Sequence, residues 1–111
     1  VIEQGSSGSE RWTKYADGTM ILYGETVHST LAVSTASSGG FISAIQTVNF
    51  SETFDSDPIV TVSVQRNSGS WGAEFNIAAL STSSFNGVYY RNDSVTGQTY
   101  TLQYQAVGRW F

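Results

Sequence analysis

The stretch Ile59-Val60-Thr61-Val62-Ser63-Val64-Gln65 alternates β-branched apolar residues with polar ones. In an extended chain, Val60, Val62 and Val64 share one face and the polar residues between them share the other. A period of two predicts a strand from a sheet that is buried on one side and wet on the other. The only proline, Pro58, directly precedes this run and predicts that the strand starts after it, because proline cannot donate to a central ladder.

Similar runs recur after this strand, separated by polar turns. The clearest is residues 99–107, in which Tyr100, Leu102, Tyr104 and Ala106 alternate with polar side chains. Residues 71–80 predict a strand with Phe75, Ile77 and Ala79 on one face, and residues 85–91 predict another. Residues 67–70 and 81–84 predict turns, and residues 92–98 predict a polar loop.

The N-terminal half shows the same organisation. Asp17-Gly18 lies between two aromatic and aliphatic runs, which predicts a β-hairpin. Its second strand, residues 19–23, should place Met20 and Leu22 on one face and end at Gly24. Residues 27–34 predict a further strand, and residues 41–50 predict one strand or two. Residues 5–9 have the composition of a flexible linker, and residues 35–40 and 51–57 predict loops.

No segment sustains a helical period over three turns. The sequence therefore predicts an all-β fold, an antiparallel β-sandwich of about six to eight strands. Residues 1–9 are interpreted as a linker or entry segment, and residues 10–111 as a single domain.

The amino-acid composition excludes several classes of function. The 111 residues contain no cysteine, only 13% charged residues and a formal net charge of −4. Disulfides and thiolate metal sites are excluded. The five basic residues are scattered, so no nucleic-acid footprint is expected, and no apolar run is long enough for membrane insertion. A polar, weakly charged surface suits neutral ligands such as sugars, or contact with other subunits.

Catalytic chemistry has few candidates. His28 is the only histidine and lies in no nucleophile-elbow motif. Three copies of it on a trimer axis could bind a metal, but a plain strand residue is the preferred interpretation. Glu52, Asp55 and Asp57 could serve glycoside hydrolysis or calcium binding, although the calcium-loop spacing is missing; a solvated turn is preferred. We therefore predict no enzyme, catalytic residue, metal or cofactor.

Three segments resemble the C-terminal domain of phage and prophage tail-fibre proteins. They are Trp12-x-Lys14-x-x-Asp17-Gly18-Thr19 closed by Tyr23-Gly24, Val48-x-Phe50-x-x-x-Phe54-x-x-x-Pro58-x-Val60, and Tyr104-x-Ala106-Val107-Gly108-x-Trp110. The opening residues 1–5 are similar to the entry segment of such domains. The resemblance implies a virion-tail location, assembly in the cytoplasm of a bacterial host, and attachment to upstream tail-fibre segments.

From Val48 onward the chain also resembles H-type lectins, which implies a homotrimer with sugar sites near subunit boundaries. The lectin site itself is not retained. Asn76 stands where the lectins present an arginine, and Asn92 and Asp93 stand where they present a Trp-His pair. Any sugar would therefore be bound differently.

In the matched segments we expect mainly structural roles. Trp12 should pack beside the Asp17-Gly18 hairpin, Phe50 and Phe54 should fill the core, and Trp110 should cap the core or a subunit seam. Gly108 is expected at a bulge or a close approach.

Ligand contacts are sought among residues that core packing does not require. Tyr89 and Tyr90 are adjacent, so a strand must point them to opposite faces. One of them should be a surface aromatic beside a polar loop. The predicted ligand-binding residues are Trp71, Asn76, Tyr90, Arg91, Asn92 and Asp93.

The leading hypothesis is a fibre-tip domain that binds a cell-surface receptor, such as a glycan, without catalysis. The alternative is a structural trimerisation cap that touches no receptor. A tail-associated depolymerase or esterase is the third hypothesis, and the scarcity of titratable catalytic groups argues against it.

Overall fold

The computed structural model describes residues 2–68 and 72–111. In this part of the chain all regular structure is extended and no helix occurs. The strands are β1 (Glu3–Ser7), β2 (Glu10–Lys14), β3 (Thr19–Val33), β4 (Thr35–Ser37), β5 (Gly40–Ile42), β6 (Gln46–Asn49), β7 (Ile59–Ser68), β8 (Glu74–Leu80), β9 (Ser84–Arg91) and β10 (Val95–Arg109). The prediction of an all-β fold is confirmed.

The strands form two antiparallel sheets. The first has the order β1-β2-β3-β10-β7, with the long strands β3 and β10 paired along most of their length. In the second sheet β9 is central. β8 pairs with one side of β9, β5 and β6 share the other side, and β4 lies beyond β5. This arrangement is a β-sandwich.

The core lies between the sheets and is rich in aromatic residues. On β10 the buried side chains are Tyr100, Leu102, Tyr104 and Ala106, which confirms the predicted face. The other buried hydrophobic residues include Met20, Leu22, Val33, Val48, Phe50, Phe54, Phe75, Phe85 and Tyr89, with Trp12, Val60, Val62, Val64 and Trp110 packed against them. The predicted inward faces of β3 and β7 are thus confirmed, as are Phe50 and Phe54 as core residues.

The predicted hairpin is present between β2 and β3. The Tyr15 N–H donates to the Thr19 carbonyl, and Gly18 adopts a φ of 96°, a region that favours glycine. Trp110 closes this end of the sandwich, because its indole Nε1 donates to the Tyr15 carbonyl over 2.9 Å. Gly108 is a close approach: an added Cβ would lie 3.0 Å from the Phe54 ring.

The N-terminal segment differs from the expected flexible linker. Residues 3–7 form β1, an edge strand paired with β2. Gly5 is required there because an added Cβ would lie 2.2 Å from the Trp12 indole. Small polar residues can pair through their backbones alone, so the Ser/Gly composition did not indicate disorder here.

Two further predictions for the N-terminal half are wrong. Gly24 does not end a strand, because β3 runs on to Val33. Gly24 instead makes room for the Tyr104 hydroxyl, which an added Cβ would meet at 2.9 Å. Residues 35–40 are not a plain loop but a short hairpin, β4 to β5, turning through Ser38 and Gly39 at positive φ. Residues 41–50 contain parts of two strands, which settles the alternative left open.

The C-terminal half also departs in two places. On β8, Phe75 is buried whereas Ile77, on the same face, is 37% exposed, and a register shift between Ile77 and Ala79 then interrupts the alternation. The predicted loop 92–98 is shorter than expected, because β10 begins at Val95. The shifts between Val95 and Tyr100 hid that start from a period-two pattern.

Candidate functional site

A shallow depression lies where β8 begins and β9 ends. Residues 72–74 and 90–93 line it, and its volume is about 490 Å³. Pairing of Glu74 with Tyr90 fixes its floor. Four of the six predicted ligand-binding residues, Tyr90, Arg91, Asn92 and Asp93, thus lie together; we call this surface the tip depression.

Tyr90 supplies the aromatic part of the tip depression. Its neighbour Tyr89 is fully buried, while Tyr90 is only half-buried, so the two rings point to opposite faces as predicted. The Tyr90 phenol lies over Gly40, where an added Cβ would be 2.3 Å from its oxygen. Gly40 therefore allows the ring to lie close to the sheet.

Arg91 is placed differently from a residue that offers its charge to solvent. Its side chain is 5% exposed. Nε donates to Asp93 Oδ1 over 2.8 Å, Nη2 donates to Asp93 Oδ2 over 3.0 Å, and Nη1 donates to the Tyr100 hydroxyl over 3.3 Å. This bidentate pair lowers the pKa of the Asp93 carboxyl. Arg91 therefore connects the loop that follows β9 to Tyr100 on β10 and orients the Asp93 carboxylate.

Asn92 and Asp93 are exposed in the tip depression and carry unburied polar atoms. Asn76 is exposed on β8 and lines an adjoining depression, which shares Ala73 and Glu74 with the tip depression. Trp71 lies outside the described residues. The exposed polar groups of the tip depression are thus Asn92, Asp93 and Glu74, which suit hydrogen bonds to hydroxyl groups.

An aromatic column supports the tip depression from inside. Tyr89 and Tyr100 stack with ring centroids 5.1 Å apart, and His28 meets Tyr89 edge-on at 5.6 Å. The His28 Nδ1 lies 2.6 Å from the Tyr89 hydroxyl, which joins β3 of one sheet to β9 of the other. Burial raises the pKa of Tyr89 and lowers the pKa of His28.

This lowered pKa predicts a loss of stability on mild acidification. Burial favours the neutral form of His28 in the folded protein, so the unfolded chain binds a proton more readily than the folded one. The contribution is therefore complete above the ordinary imidazole pKa of 6.5 and declines as the pH falls below it. Urea unfolding at pH 7.5, 6.5 and 5.5 measures this; carboxyl groups titrate mostly below that range.

The matched control for this pH dependence is His28→Asn, whose amide oxygen can still accept from Tyr89. The chain has one histidine. The free energy of unfolding of the His28→Asn variant should therefore change less between pH 7.5 and 5.5 than that of the native protein. Equal slopes for the two proteins would contradict the assignment.

In the acidic loop, the Glu52 carboxylate forms an ion pair with Lys14. Glu52 lies 2.7 Å from Lys14 Nζ, and the same ammonium lies 2.9 Å from Glu3. Within residues 2–68 and 72–111 no group of three or more histidine, cysteine or acidic side chains could hold a metal ion. In those residues there is also no helix long and apolar enough to cross a membrane.

Sequence reasoning missed Glu10, a charged residue that is 5% exposed. Its Oε1 accepts from the Ser51 backbone N–H over 2.6 Å and from the Ser51 hydroxyl, and its Oε2 accepts from the Tyr104 hydroxyl. The signal was available: Glu10 and Trp12 are two apart on β2 and must share a face, so an inward Trp12 requires an inward Glu10.

The sequence matches no protein-family model and no curated protein. The molecule belongs to the class of antiparallel two-sheet β proteins, and solved structures place its fold within that class.

Its fold is similar to that found in R1-type pyocin tail fibres. The chain aligns over 96% of its length with the C-terminal part of the R1 pyocin fibre of P. aeruginosa, with a TM-score of 0.67 and 17% identity. It spans 28% of that fibre chain. An N-truncated R1-type pyocin tail fibre gives a TM-score of 0.68 at 16% identity, covering 96% of this chain and 86% of that one.

The tailspike of Pseudomonas phage phi297 also aligns, over 85% of this chain and 16% of that one, with a TM-score of 0.56 and 16% identity. These likenesses confirm the fold that the tail-fibre resemblance implied. The similarity to H-type lectins stays a prediction.

Proposed function

We propose that the chain is the C-terminal domain of a phage-type tail fibre and binds a cell-surface glycan or similar receptor at the tip depression. The observation that carries this proposal is the fold shared with two pyocin tail-fibre structures over 96% of the chain. The proposed location is the virion tail, with the domain attached to upstream fibre segments and assembled as a homotrimer in the host cytoplasm.

The chemistry of the tip depression supports binding without catalysis. Asn92 and Asp93 offer hydrogen bonds to hydroxyl groups, and Tyr90 offers part of an aromatic ring. Arg91 fixes the Asp93 carboxylate by two hydrogen bonds, so that the acceptor is held in place before a ligand arrives. The His28 Nδ1 lies 2.6 Å from the Tyr89 hydroxyl, which supports a structural role for this histidine rather than proton transfer.

Removing the exposed groups of the tip depression should weaken receptor binding. Tyr90→Ala with Asn92→Ala is expected to reduce saturable binding to receptive bacterial cells by about tenfold or more, equivalent to ~1.4 kcal/mol. Fluorescence-labelled protein titrated onto a panel of strains, together with a glycan array, measures this. Thermal melting confirms that the variants fold.

Asn49→Ala on β6 is the matched control, because it removes an exposed amide outside the tip depression. Asn92→Ala alone provides a variant that leaves the Tyr90 packing intact. Native binding by the double variant, or no saturable binding of the native trimer to any strain or glycan, would contradict the proposal.

The second candidate is a trimerisation cap that folds the fibre end without touching a receptor. It is favoured by the burial of Arg91 in a structural pair, because Arg91 is the only basic side chain among the described residues that line the tip depression. A cap predicts that adsorption survives the Tyr90 and Asn92 substitutions, whereas deleting the domain destroys the trimer. The same binding assay therefore separates the two candidates.

A further inference from the structure

The solvent side of the first sheet carries few charged residues. Residues of β3, β10 and β7 that share this side stand in register across it, and we call them the outer face: Ile21, Tyr23, Glu25 and Val27 on β3; Thr101, Gln103, Gln105 and Val107 on β10; and Ile59, Thr61, Ser63 and Gln65 on β7. All of them are at least partly exposed except Thr101, which is 6% exposed. Opposed residues of an antiparallel pair lie on the same face. Glu25 is the only charged residue among these twelve.

The outer face exposes much apolar surface. Ile59 is 76% exposed, Val27 57%, Tyr23 49% and Val107 37%. These are four of the eight large hydrophobic side chains that are exposed among the described residues. Val107 on β10 pairs in register with Ile59 on β7 and with Ile21 on β3, so the three side chains form one apolar row across the strands. Grouped exposed apolar residues with a polar surround are typical of protein contact surfaces.

β7 adds an open edge to the outer face. It is ten residues long and, in the described part of the chain, pairs only with β10. Its sequence contains no proline and one formal charge, at Arg66. Long edge strands of this kind attract other chains unless they are covered. This edge and the apolar row meet at Ile59.

Two opposite charges indicate which partner could bind the outer face. Arg11 on β2 pairs in register with Tyr23 and therefore lies on the same side of the sheet as Glu25. Both side chains are exposed, and neither forms an ion pair within residues 2–68 and 72–111. Arg109, which follows Val107 on the same side of β10, donates instead to the backbone carbonyls of Asp17 and Phe111. The exposed Arg11 and Glu25 side chains make this surface complementary to a second copy of itself.

We propose that the outer face binds a neighbouring copy of this chain, with Arg11 of one copy against Glu25 of the next and Ile59 within the apolar contact. Burial of the exposed apolar side chains supplies affinity, and the charge pair fixes orientation. This inference deepens the self-association part of the proposed function and rests on that part alone; it is independent of the tip depression.

Charge reversal tests the proposal by sedimentation equilibrium of the whole chain. Arg11→Glu and Glu25→Arg are each expected to weaken self-association by about tenfold or more. The double variant Arg11→Glu/Glu25→Arg should regain most of the native affinity, because the pair is restored with its signs exchanged. Such rescue excludes a folding defect as the cause.

Ile59→Lys gives a second arm, with Ile45→Lys as its control. Ile45 is 63% exposed but belongs to the connection between β5 and β6. Ile59→Lys should yield monomers, while Ile45→Lys keeps the native mass.

Each failure has a separate meaning. A native oligomer unaffected by the charge reversals and by Ile59→Lys would overturn the assignment of the outer face and leave the proposed trimer standing. A monomeric native chain would overturn both.

Discussion

Replacing Glu10 with alanine should remove about 3–5 kcal/mol from the free energy of unfolding, because three hydrogen bonds to a charged acceptor are lost while the cost of burying that charge is relieved. The carboxylate accepts from the Ser51 backbone, the Ser51 hydroxyl and the Tyr104 hydroxyl. Alanine leaves these donors without their acceptor inside the protein, which is expensive. Urea denaturation monitored by tryptophan fluorescence measures the loss.

Glu74→Ala is the control for Glu10→Ala, since Glu74 is exposed at the start of β8. It should change the free energy of unfolding by about 0.5 kcal/mol or less. A Glu10→Ala variant within about 1 kcal/mol of the native protein would show that the buried network contributes little.

Arg91→Ala should lower the free energy of unfolding by about 2–3 kcal/mol, because hydrogen bonds to charged groups and the packing of the arginine stem are both lost. Arg91 joins the loop after β9 to Tyr100 in the other sheet, so its removal loosens the contact between the sheets. Thermal melting alongside urea denaturation measures the effect. Neighbouring Asn92→Ala, at an exposed position, should leave stability nearly unchanged.

The opposite result for Arg91 would be informative. If Arg91→Ala folded with native stability but lost receptor binding, the guanidinium would be a ligand contact rather than a support for Asp93. The burial of its side chain predicts the structural outcome.

The alternation of apolar and polar residues predicted the strands that have one face on the core and the other in solvent. β7 and the second half of β10 each place apolar residues inward and polar ones outward, so one sequence pattern was sufficient. The Asp17-Gly18 turn was equally readable, because a positive φ restricts which residues can occupy it.

Other elements depend on contacts that are distant in sequence. Gly5 and Gly24 look like breaks, yet each lies in a strand because a side chain from elsewhere fills the space above it. β1 is held by backbone pairing with β2, which leaves no side-chain pattern. The register shifts near Val95 interrupt the period of two, so the start of β10 was misjudged, and the shift after Ile77 interrupts the alternation on β8.

The candidate site was predictable only in outline. Adjacent Tyr89 and Tyr90 had to diverge, and this located a surface aromatic beside a polar loop. The inward course of Arg91 was not predictable, because it depends on the Tyr100 hydroxyl of the opposite sheet. Asn76 lies on β8 with Glu74 but lines the adjoining depression. The boundary between the two depressions is set by the pairing of β8 with β9, which the sequence does not show.

The mass of the native chain in solution tests the central claim most directly. A tail-fibre domain that assembles with copies of itself should give, by light scattering at micromolar concentration, about 36 kDa, three times the 12.0 kDa of one chain. A mass of 12.0 kDa under the same conditions would contradict both the receptor-binding trimer and the cap.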